Sequence, residues 1–485
     1  MRRRQFVLAL PMSYLATTSE LRAKDYTTNK LDVTLADGPT VLTTGSQYTQ
    51  AIFIGNELWA YKKPSYVVMA KTAADAAFAL ALAKQHKIPF SVKNGGHSYG
   101  GYCLNEGGVM LDVSLMNEIK INAKAMTVTI SGGARWLSVY EALANVNPDF
   151  IVMGGICPTV GVCGYVMGGG MNLASRSLGL GIDSLETLTI MTADGEIHEL
   201  SSSQALSENL KDLWWAIRGG GGGNFGIVLS LTLRIVTIKT LTIGSLSWNN
   251  RSHFEEAVSL VYEGLQRETA IDAMWTKAGP ELETTCSMTV CHIGDVQSCR
   301  TALSPIYAPR LAPSRDTLAQ KVFAEWDASN NRNPFAQHTF FYHVAFIFGP
   351  GQITPSLVTI ISELMSAAPS RSSFHWNHVG GACSDIAPEA TAYFWRQGEY
   401  AATAKIYWHD AADTTACMAW AQRVKDRLTP FALEGKATYI NYIEKPFDGW
   451  QEAYYGKNYS RLRRVKSTFD PENFFQFSLG IEPEA

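Results

Sequence analysis

The sequence predicts an α+β protein. One domain is assembled from both ends of the chain, and a second, an antiparallel sheet with helices, is inserted between them. Three observations carry this expectation. Up to about residue 240, glycine-rich loops alternate with short strand and helix patterns. From residue 241 the texture changes to strands and amphipathic helices, rich in aromatic side chains and poor in glycine loops. The final fifty residues return to short, dense motifs. The expected boundaries are 25–240 and 436–485 for the divided domain and 241–435 for the inserted, substrate-side domain, after a leader at 1–24.

Composition sets the frame for these elements. A chain of 485 residues has room for two or three domains. With 46% hydrophobic and 18% charged residues it has the balance of a globular enzyme with sizeable cores. A formal net charge of −3 leaves no basic footprint for nucleic acid. No apolar run is long enough to span a bilayer.

The first residues differ from the rest. Arg2-Arg3-Arg4 precedes the apolar run Phe6-Val7-Leu8-Ala9-Leu10, the shape of a secretory leader. Arg3-Arg4-Gln5-Phe6-Val7 is also similar to a twin-arginine export signal. Pro11 and Ser13 interrupt the run and no A-x-A site follows, so an intracellular protein with a frayed terminus is the alternative to an exported one.

Next comes a strand–helix–strand unit. Tyr66-Val67-Val68-Met69-Ala70 is a β-rich run, residues 72–86 carry Ala, Leu and Phe at helical spacing, and Pro89-Phe90-Ser91-Val92 reads as the second strand. It delivers the loop Lys93-Asn94-Gly95-Gly96-His97-Ser98-Tyr99-Gly100-Gly101, where chemistry is expected. Residues 109–113 and 126–130 continue the strand pattern, and 137–143 read as a helix. A second loop, Gly154-Gly155-Ile156-Cys157-Pro158-Thr159-Val160-Gly161-Val162-Cys163-Gly164-Tyr165, is followed by Gly168-Gly169-Gly170.

Residues 184–191 and 196–200 read as strands joined by Asp194-Gly195, a hairpin signal. A Trp214-Trp215 helix then leads into Gly219 to Gly223 and the β-run after Asn224-Phe225-Gly226. Consecutive glycines are entropically costly unless they fit against something. A flexible linker is the other reading, but a helix before and a strand after argue against it. In the inserted domain, Trp326, Phe340, Phe341, Tyr342, Phe346, Phe348, Trp376, Tyr393, Trp395, Tyr407 and Trp408 are expected mostly in the core, with a few available to line a pocket.

Eight cysteines at irregular spacing make no disulfide scaffold at this length. Cys286, Cys291 and Cys299 lie close to His292, but in a spacing that matches no common zinc site. Buried thiols, or one disulfide after export, are expected instead. Asn250-Arg251-Ser252 and Asn458-Tyr459-Ser460 are N-glycosylation sequons.

The two glycine loops put an imidazole and a thiol on tight turns, because glycine lets backbone approach a ligand closely. Neither loop has the Rossmann spacing, and neither contains a Walker lysine. One flat cofactor held from both edges is the expectation.

In chain order, G-G-H-S-Y-G-G, G-G-I-C-P-T-V-G-V-C-G-Y with its G-G-G, W-W-A-I-R-G-G-G-G-G-N-F-G-I-V, Y-I-N-Y, and Y-Y-G-K-N-Y-S-R-L-R-R-V-K with D-P-E-N-F-F span roughly residues 60–483. This series resembles the berberine bridge enzyme-like FAD-linked oxidases of the vanillyl alcohol oxidase superfamily. The resemblance implies a two-part FAD-binding domain of the vanillyl alcohol oxidase (PCMH) type, and FAD held by two covalent bonds. His97 would bond the 8α-methyl carbon of the isoalloxazine and Cys157 its C6. Both are good nucleophiles toward an electron-poor ring.

Further cofactor contacts fall, by the same match, on Lys93, Gly95, Gly96, Ser98, Val160, Gly161, Gly168, Gly169, Gly170, Gly223, Asn224, Gly226, Ile227 and Asn441. Backbone N–H groups of the glycine stretches would meet the pyrophosphate. Tyr442, the second tyrosine of Y-I-N-Y, takes the position of the catalytic base, with Tyr99 in the same pocket. An ordinary phenol titrates near ~10, so Tyr442 needs a depressed pKa, for which Lys405 is a candidate cation, or proton transfer in concert with hydride departure. Val160, three residues after Cys157, takes the position that governs oxygen access and is of the type associated with oxidases.

The sequence departs from the family pattern in four places. Lys93 stands where arginine is common, which loses the planar fork. Cys163, a second thiol, stands where glycine is usual. Trp395 replaces a frequent histidine, and Leu479-Gly480-Ile481 a usual Gln-Ser-Ile. The last two are expected near the substrate and flavin edges, so the resemblance does not carry the substrate over. Asn458 lies inside a matched motif expected to pack near the FAD, so its sequon is expected to be unused.

The function expected is oxidation of an alcohol or hemiacetal carbon of a sugar or oligosaccharide, with hydride passing to FAD and O2 reduced to H2O2. Oxidation or oxidative cyclisation of a glycoside, alkaloid or polyketide is the alternative, and a flavin-bearing binding protein without turnover a third reading. His375 and His378 offer i, i+3 geometry at best and no third ligand, so no metal is expected. Nothing in the sequence sets an oligomeric state.

Overall fold

The computed structural model describes residues 38–262, 264–323 and 339–484. The leader expected at 1–24 and Trp326 lie outside the described residues.

Strands β1 (Thr40–Leu42), β2 (Tyr66–Met69), β3 (Phe90–Lys93) and β4 (Val109–Asp112) form a sheet in the order β1-β2-β4-β3. Both β2 and β3 run parallel to β4, so the strand–helix–strand unit read from the sequence is present. Its crossover is helix α1 (Ala73–His86), whose start is capped reciprocally by Thr72 and Asp75. That pairing satisfies amide groups a helix N-terminus leaves without partners. Ala76, Ala79, Leu80 and Ala83 form its buried stripe, at the spacing of one helical face.

The second sheet is antiparallel. It contains β5 (Ile119–Asn122), β6 (Thr127–Ser131), β8 (Leu185–Met191), β9 (Ile197–Ser201) and β10 (Ile227–Arg234), in the order β5-β6-β10-β8-β9. The short strands β7 (Phe150–Ile151) and β11 (Val236–Thr237) pair separately. The hairpin between β8 and β9 turns at Asp194-Gly195, where Gly195 has φ 87°, a left-handed conformation that favours glycine. Helices α2 (Trp136–Val146), α3 (Val162–Met167) and α4 (Glu208–Ala216) pack around this sheet.

The third sheet holds β12 (Leu241–Trp248), β13 (Thr269–Lys277), β14 (Thr284–Ile293), β15 (Arg315–Asp316), β16 (Ala319–Lys321), β17 (Phe340–Phe348), β18 (Ser372–His378) and β19 (Tyr400–Trp408). The order is β15-β12-β14-β13-β18-β19-β17, with β16 also on β12. Helices α5 (Arg251–Val261), α6 (Pro355–Ser366) and α7 (Thr414–Leu428) cover one face of it. Alternation along the strands sorts the side chains. Phe374 and Trp376 of β18 and Ala404, Ile406 and Trp408 of β19 enter the helix-covered core. The intervening His375, Asn377 and Lys405 point the other way, toward the rest of the molecule.

The C-terminal return crosses back through helix α8 (Tyr459–Phe469). Its Lys466 is fully buried. The ammonium donates to the carbonyls of Asn224 and Phe475, each at 2.6 Å, and pairs with Asp470 at 2.7 Å. Asp470 in turn accepts the N–H groups of Phe474 and Phe475. The D-P-E-N-F-F stretch thus clamps the chain end onto the segment around Asn224. Asn458 is also buried, donating to the carbonyls of Pro388 and Thr391, which leaves no room for a glycan.

All eight cysteines are unpaired. Among the described residues no His, Cys, Asp or Glu cluster could hold a metal ion, and no helix is long and apolar enough to cross a membrane.

Candidate active site

A cavity of about 610 Å³ lies where the divided domain, the third sheet and the C-terminal return meet. Its walls come from the loop after β3, from Gly132, from residues 155–165 and from residues 221–228. His375, Asn377 and Lys405 add a wall from the third sheet, and residues 439–443 and 475–477 one from the return. Of the residues singled out from the sequence, Gly95, Gly96, His97, Ser98, Tyr99, Cys157, Val160, Gly161, Gly223, Asn224, Gly226, Asn441 and Tyr442 line it.

Five others do not. Lys93 is buried in an ion pair with Asp112 at 3.1 Å, its register partner on β4, so its charge is spent inside the protein. Gly168, Gly169 and Gly170 serve packing. A Cβ at Gly168 would run into the Asn441 side chain, and the Gly170 N–H donates to the Tyr439 hydroxyl at 2.9 Å. Ile227 opens β10 and belongs to an apolar core. Trp395 and Leu479-Gly480-Ile481 are likewise absent from the cavity wall. Trp395 is buried, donating to the Ala453 carbonyl, and the Ile481 N–H latches onto Asn224 Oδ1 at 2.9 Å. None of the described aromatic residues singled out in the inserted domain lines the cavity; most are buried, because large apolar area is best removed from water, while Tyr407 is half-buried against Phe341.

One edge of the cavity carries the two candidate nucleophiles. Nε2 of His97 lies 2.8 Å from the Thr159 hydroxyl, and the same oxygen lies 3.7 Å from the Cys157 sulfur. Burial depresses the His97 imidazole to about 3, with Arg135, Lys405 and Lys93 adding to the effect. The ring is therefore neutral at physiological pH and keeps a nitrogen lone pair. Cys163 also reaches the cavity, but burial pushes its thiol up to about 12, which holds it in the unreactive form.

The loops are brought together by close backbone approach: a Cβ at Gly95 would lie 2.5 Å from the Thr159 carbonyl oxygen. Asn94, missed in the sequence, fastens the His97 loop to the segment after β6 by donating to the Gly132 and Ala134 carbonyls at 2.6 and 3.2 Å.

The lining fits FAD. At Gly164 an added Cβ would meet no atom within 4 Å, so the position opens into the cavity, and Gly221, Gly222 and Gly223 continue a wall without side chains. The buried Asn94 Oδ1 has no hydrogen-bond partner among the described residues and would be left for a bound donor.

The third-sheet wall is polar. The Tyr442 hydroxyl donates to Asn377 Oδ1 at 3.3 Å. Lys405 donates to the Tyr99 hydroxyl at 2.9 Å and stands 5.1 and 5.6 Å from the ring centres of Tyr99 and Tyr442. Burial pushes the Tyr442 phenol up to about 12, while Lys405 pulls it down. The depressed phenol is thus not what the site provides. His375 faces the cavity as a neutral ring, depressed to about 3 by burial.

His375 and Asn377 were not readable as site residues from motif spacing. Their signal is the alternation Phe374, His375, Trp376, Asn377 on one strand. The i, i+3 relation of His375 and His378 is a strand relation, which sends the two rings to opposite faces; His378 pairs with Glu399 at 2.9 Å.

Comparison with known proteins agrees with this geometry. Residues 64–201 match the family model for an FAD binding domain, and residues 438–482 that for berberine and berberine-like proteins. The FAD-linked oxidoreductase YgaK of Bacillus subtilis is 29% identical over 87% of this chain and 91% of its own. A VAO-type flavoprotein oxidase of Thermothelomyces thermophilus is 27% identical over 87% of this chain and 76% of its own. The structure of berberine bridge enzyme from Eschscholzia californica superimposes with a TM-score of 0.82 at 21% identity, covering 92% of this chain and 97% of that one. With both family segments present, in the expected order and on either side of one cavity, the chain belongs to the berberine bridge enzyme-like, VAO-type family of FAD-linked oxidoreductases.

Proposed function

We propose that the protein is an FAD-dependent oxidase that takes a hydride from an alcohol or hemiacetal carbon of a sugar or oligosaccharide and reduces O2 to H2O2. In this reading His97 and Cys157 hold the FAD by covalent bonds. The observation that carries the reading is the single cavity shared by the His97–Cys157 edge and a wall of Tyr99, Tyr442, His375, Asn377 and Lys405.

FAD, when bound, supplies the two-electron acceptor, and the net reaction is R2CHOH + O2 → R2C=O + H2O2. The chain's own side chains position the substrate and handle its proton. Because the Tyr442 O–H is donated to Asn377, a phenolic lone pair is left for the hydroxyl hydrogen of a substrate. Taking up that proton requires the phenolate of Tyr442, a small fraction at neutral pH for a phenol near 12, so reduction would quicken as pH rises. Lys405 favours the negative charge of that phenolate, and does so more strongly once substrate has displaced water. The donors and acceptors of His375, Asn377 and Tyr99 suit a polyhydroxylated substrate. Val160 lines the same cavity, in keeping with a role in oxygen access.

The test is anaerobic bleaching of the flavin by a panel of mono- and oligosaccharides. Rapid bleaching by one sugar series is the expected result. Bleaching by dithionite but by no sugar would overturn the substrate class. A second reading, oxidation of an alkaloid or related natural product, is favoured by the apolar side of the cavity, where Ile156, Met167, Met171 and Phe477 stand. Berberine bridge enzyme itself has been solved with (S)-reticuline, and that alkaloid belongs in the same panel.

A further inference from the structure

Behind the cavity wall, a buried carboxyl group is joined to Tyr442 through one side chain. Asp272 lies on β13 and is 8% exposed. Its strand neighbours Ile271, Ala273 and Trp275 enter the helix-covered core, so alternation turns Asp272 to the opposite face, toward Asn377. Asn377 Nδ2 donates to Asp272 Oδ2 at 2.7 Å, and the His378 N–H donates to Asp272 Oδ1 at 2.9 Å. The other end of the Asn377 amide accepts the Tyr442 hydroxyl at 3.3 Å.

A primary amide has one accepting and one donating end. Whichever end faces Asp272 therefore decides which end faces Tyr442. As a carboxylate, Asp272 only accepts and draws the Nδ2 end. Asn377 Oδ1 then takes the Tyr442 O–H, leaving phenolic lone pairs toward the cavity. As a carboxylic acid, Asp272 has a proton to donate and draws the Oδ1 end. The amide turns over, its NH2 faces the Tyr442 oxygen, and the Tyr442 O–H swings into the cavity.

We propose that Asp272 is a positioning residue which, acting through Asn377, sets the direction of the Tyr442 hydroxyl and so decides whether Tyr442 offers the substrate an acceptor or a donor. This rests on Tyr442 as the proton acceptor of the proposed reaction.

Burial raises the Asp272 carboxyl to about 7 against the two hydrogen bonds that lower it, so both forms are populated near neutrality. The titratable groups around it are Cys291 on β14, Tyr262 after α5, His378 on β18 and Tyr442 on the return. Burial pushes Cys291 and Tyr442 up to about 12, Tyr262 well above its ordinary value, and His378 down to about 4. Asp272 is thus the member of this group that changes charge near pH 7.

The test places meta-fluorotyrosine at position 442 of the full-length flavin-loaded enzyme and follows its fluorine resonance from roughly pH 5 to 9, below the range in which this phenol ionises. The resonance is expected to shift with a midpoint near neutrality. In Asp272→Asn it should stay near its acid position at every pH, because an amide there carries a permanent donor. In Asn377→Ala it should be flat, which keeps the test decisive should Asp272→Asn fail to fold. A flat trace in the unsubstituted chain, or an unchanged inflection in Asp272→Asn, overturns the proposal. The proton-acceptor reading fails separately, if Tyr442→Phe reduces its flavin at a near-normal rate.

Discussion

His97 Nε2 lies 2.8 Å from the hydroxyl of Thr159, a residue contributed by the other glycine loop. This contact orients a neutral imidazole at the cavity edge, and the same oxygen stands 3.7 Å from Cys157. Removing the hydroxyl by Thr159→Val should leave the fold intact and lower the fraction of flavin that stays with acid-precipitated protein. His97→Ala and Cys157→Ala should each retain flavin through the remaining bond, and the double variant should release all of it. Complete retention in the double variant would eliminate both attachment points.

Tyr442→Phe is expected to lower the rate of anaerobic flavin reduction by about 10²–10⁴, the range for loss of a positioned proton-transfer group. Lys405 lowers the Tyr442 pKa, so Lys405→Met should raise it further. Any rise of the reduction rate with pH should then move to higher pH. A profile displaced toward acid would contradict the assigned sign.

Gly168→Ala tests whether the G-G-G stretch serves packing. A Cβ there would meet the Asn441 side chain, whose amide also donates to the Tyr165 carbonyl at 2.8 Å. Overpacking of this kind typically costs about 1–3 kcal/mol. The variant should show a lowered melting temperature and loosened flavin binding together; an unchanged melting temperature would argue against a packing role.

Stability should fall on acidification below about pH 6.5, the ordinary histidine range. Burial depresses His97, His343 and His375 to about 3 and His378 to about 4. The unfolded chain therefore binds up to four protons there that the folded chain does not. Where the unfolded state binds more protons, stability drops as pH drops. Asp272 and Glu444 act oppositely, because burial raises both carboxyl groups and the folded state takes up their protons first. Four against at most two leaves the unfolded chain binding the more protons over this range. A melting temperature unchanged between about pH 6.5 and 5 would contradict this balance.

The residues legible in the sequence are those whose neighbours in the chain are also their neighbours in space. His97, Tyr99, Cys157 and Val160 sit in short glycine loops, and Tyr442 in a single turn, so a few consecutive letters describe most of their surroundings. The strand–helix–strand unit before His97 and the Asp194-Gly195 hairpin were readable for the same reason, since period and turn chemistry are local.

What only the tertiary structure decided is the partner of each group. A glycine is required wherever a Cβ has no room, and the sequence does not say whether the obstacle is a ligand or protein. Gly223 borders the cavity, whereas Gly168 borders Asn441. A lysine beside a binding loop is drawn equally to a ligand or to a carboxylate one strand away, and Lys93 meets Asp112. Asn377 and Lys405 reach Tyr442, and His375 faces the same cavity, because β18 and β19 are neighbours in the third sheet and because alternation turns these side chains away from its helix-covered core. Burial, the cause of the raised Tyr442 and depressed His97 pKa values, is a property of the assembled molecule. Motifs record which groups the chain carries; distance and exclusion of water, which exist only after folding, set what those groups do.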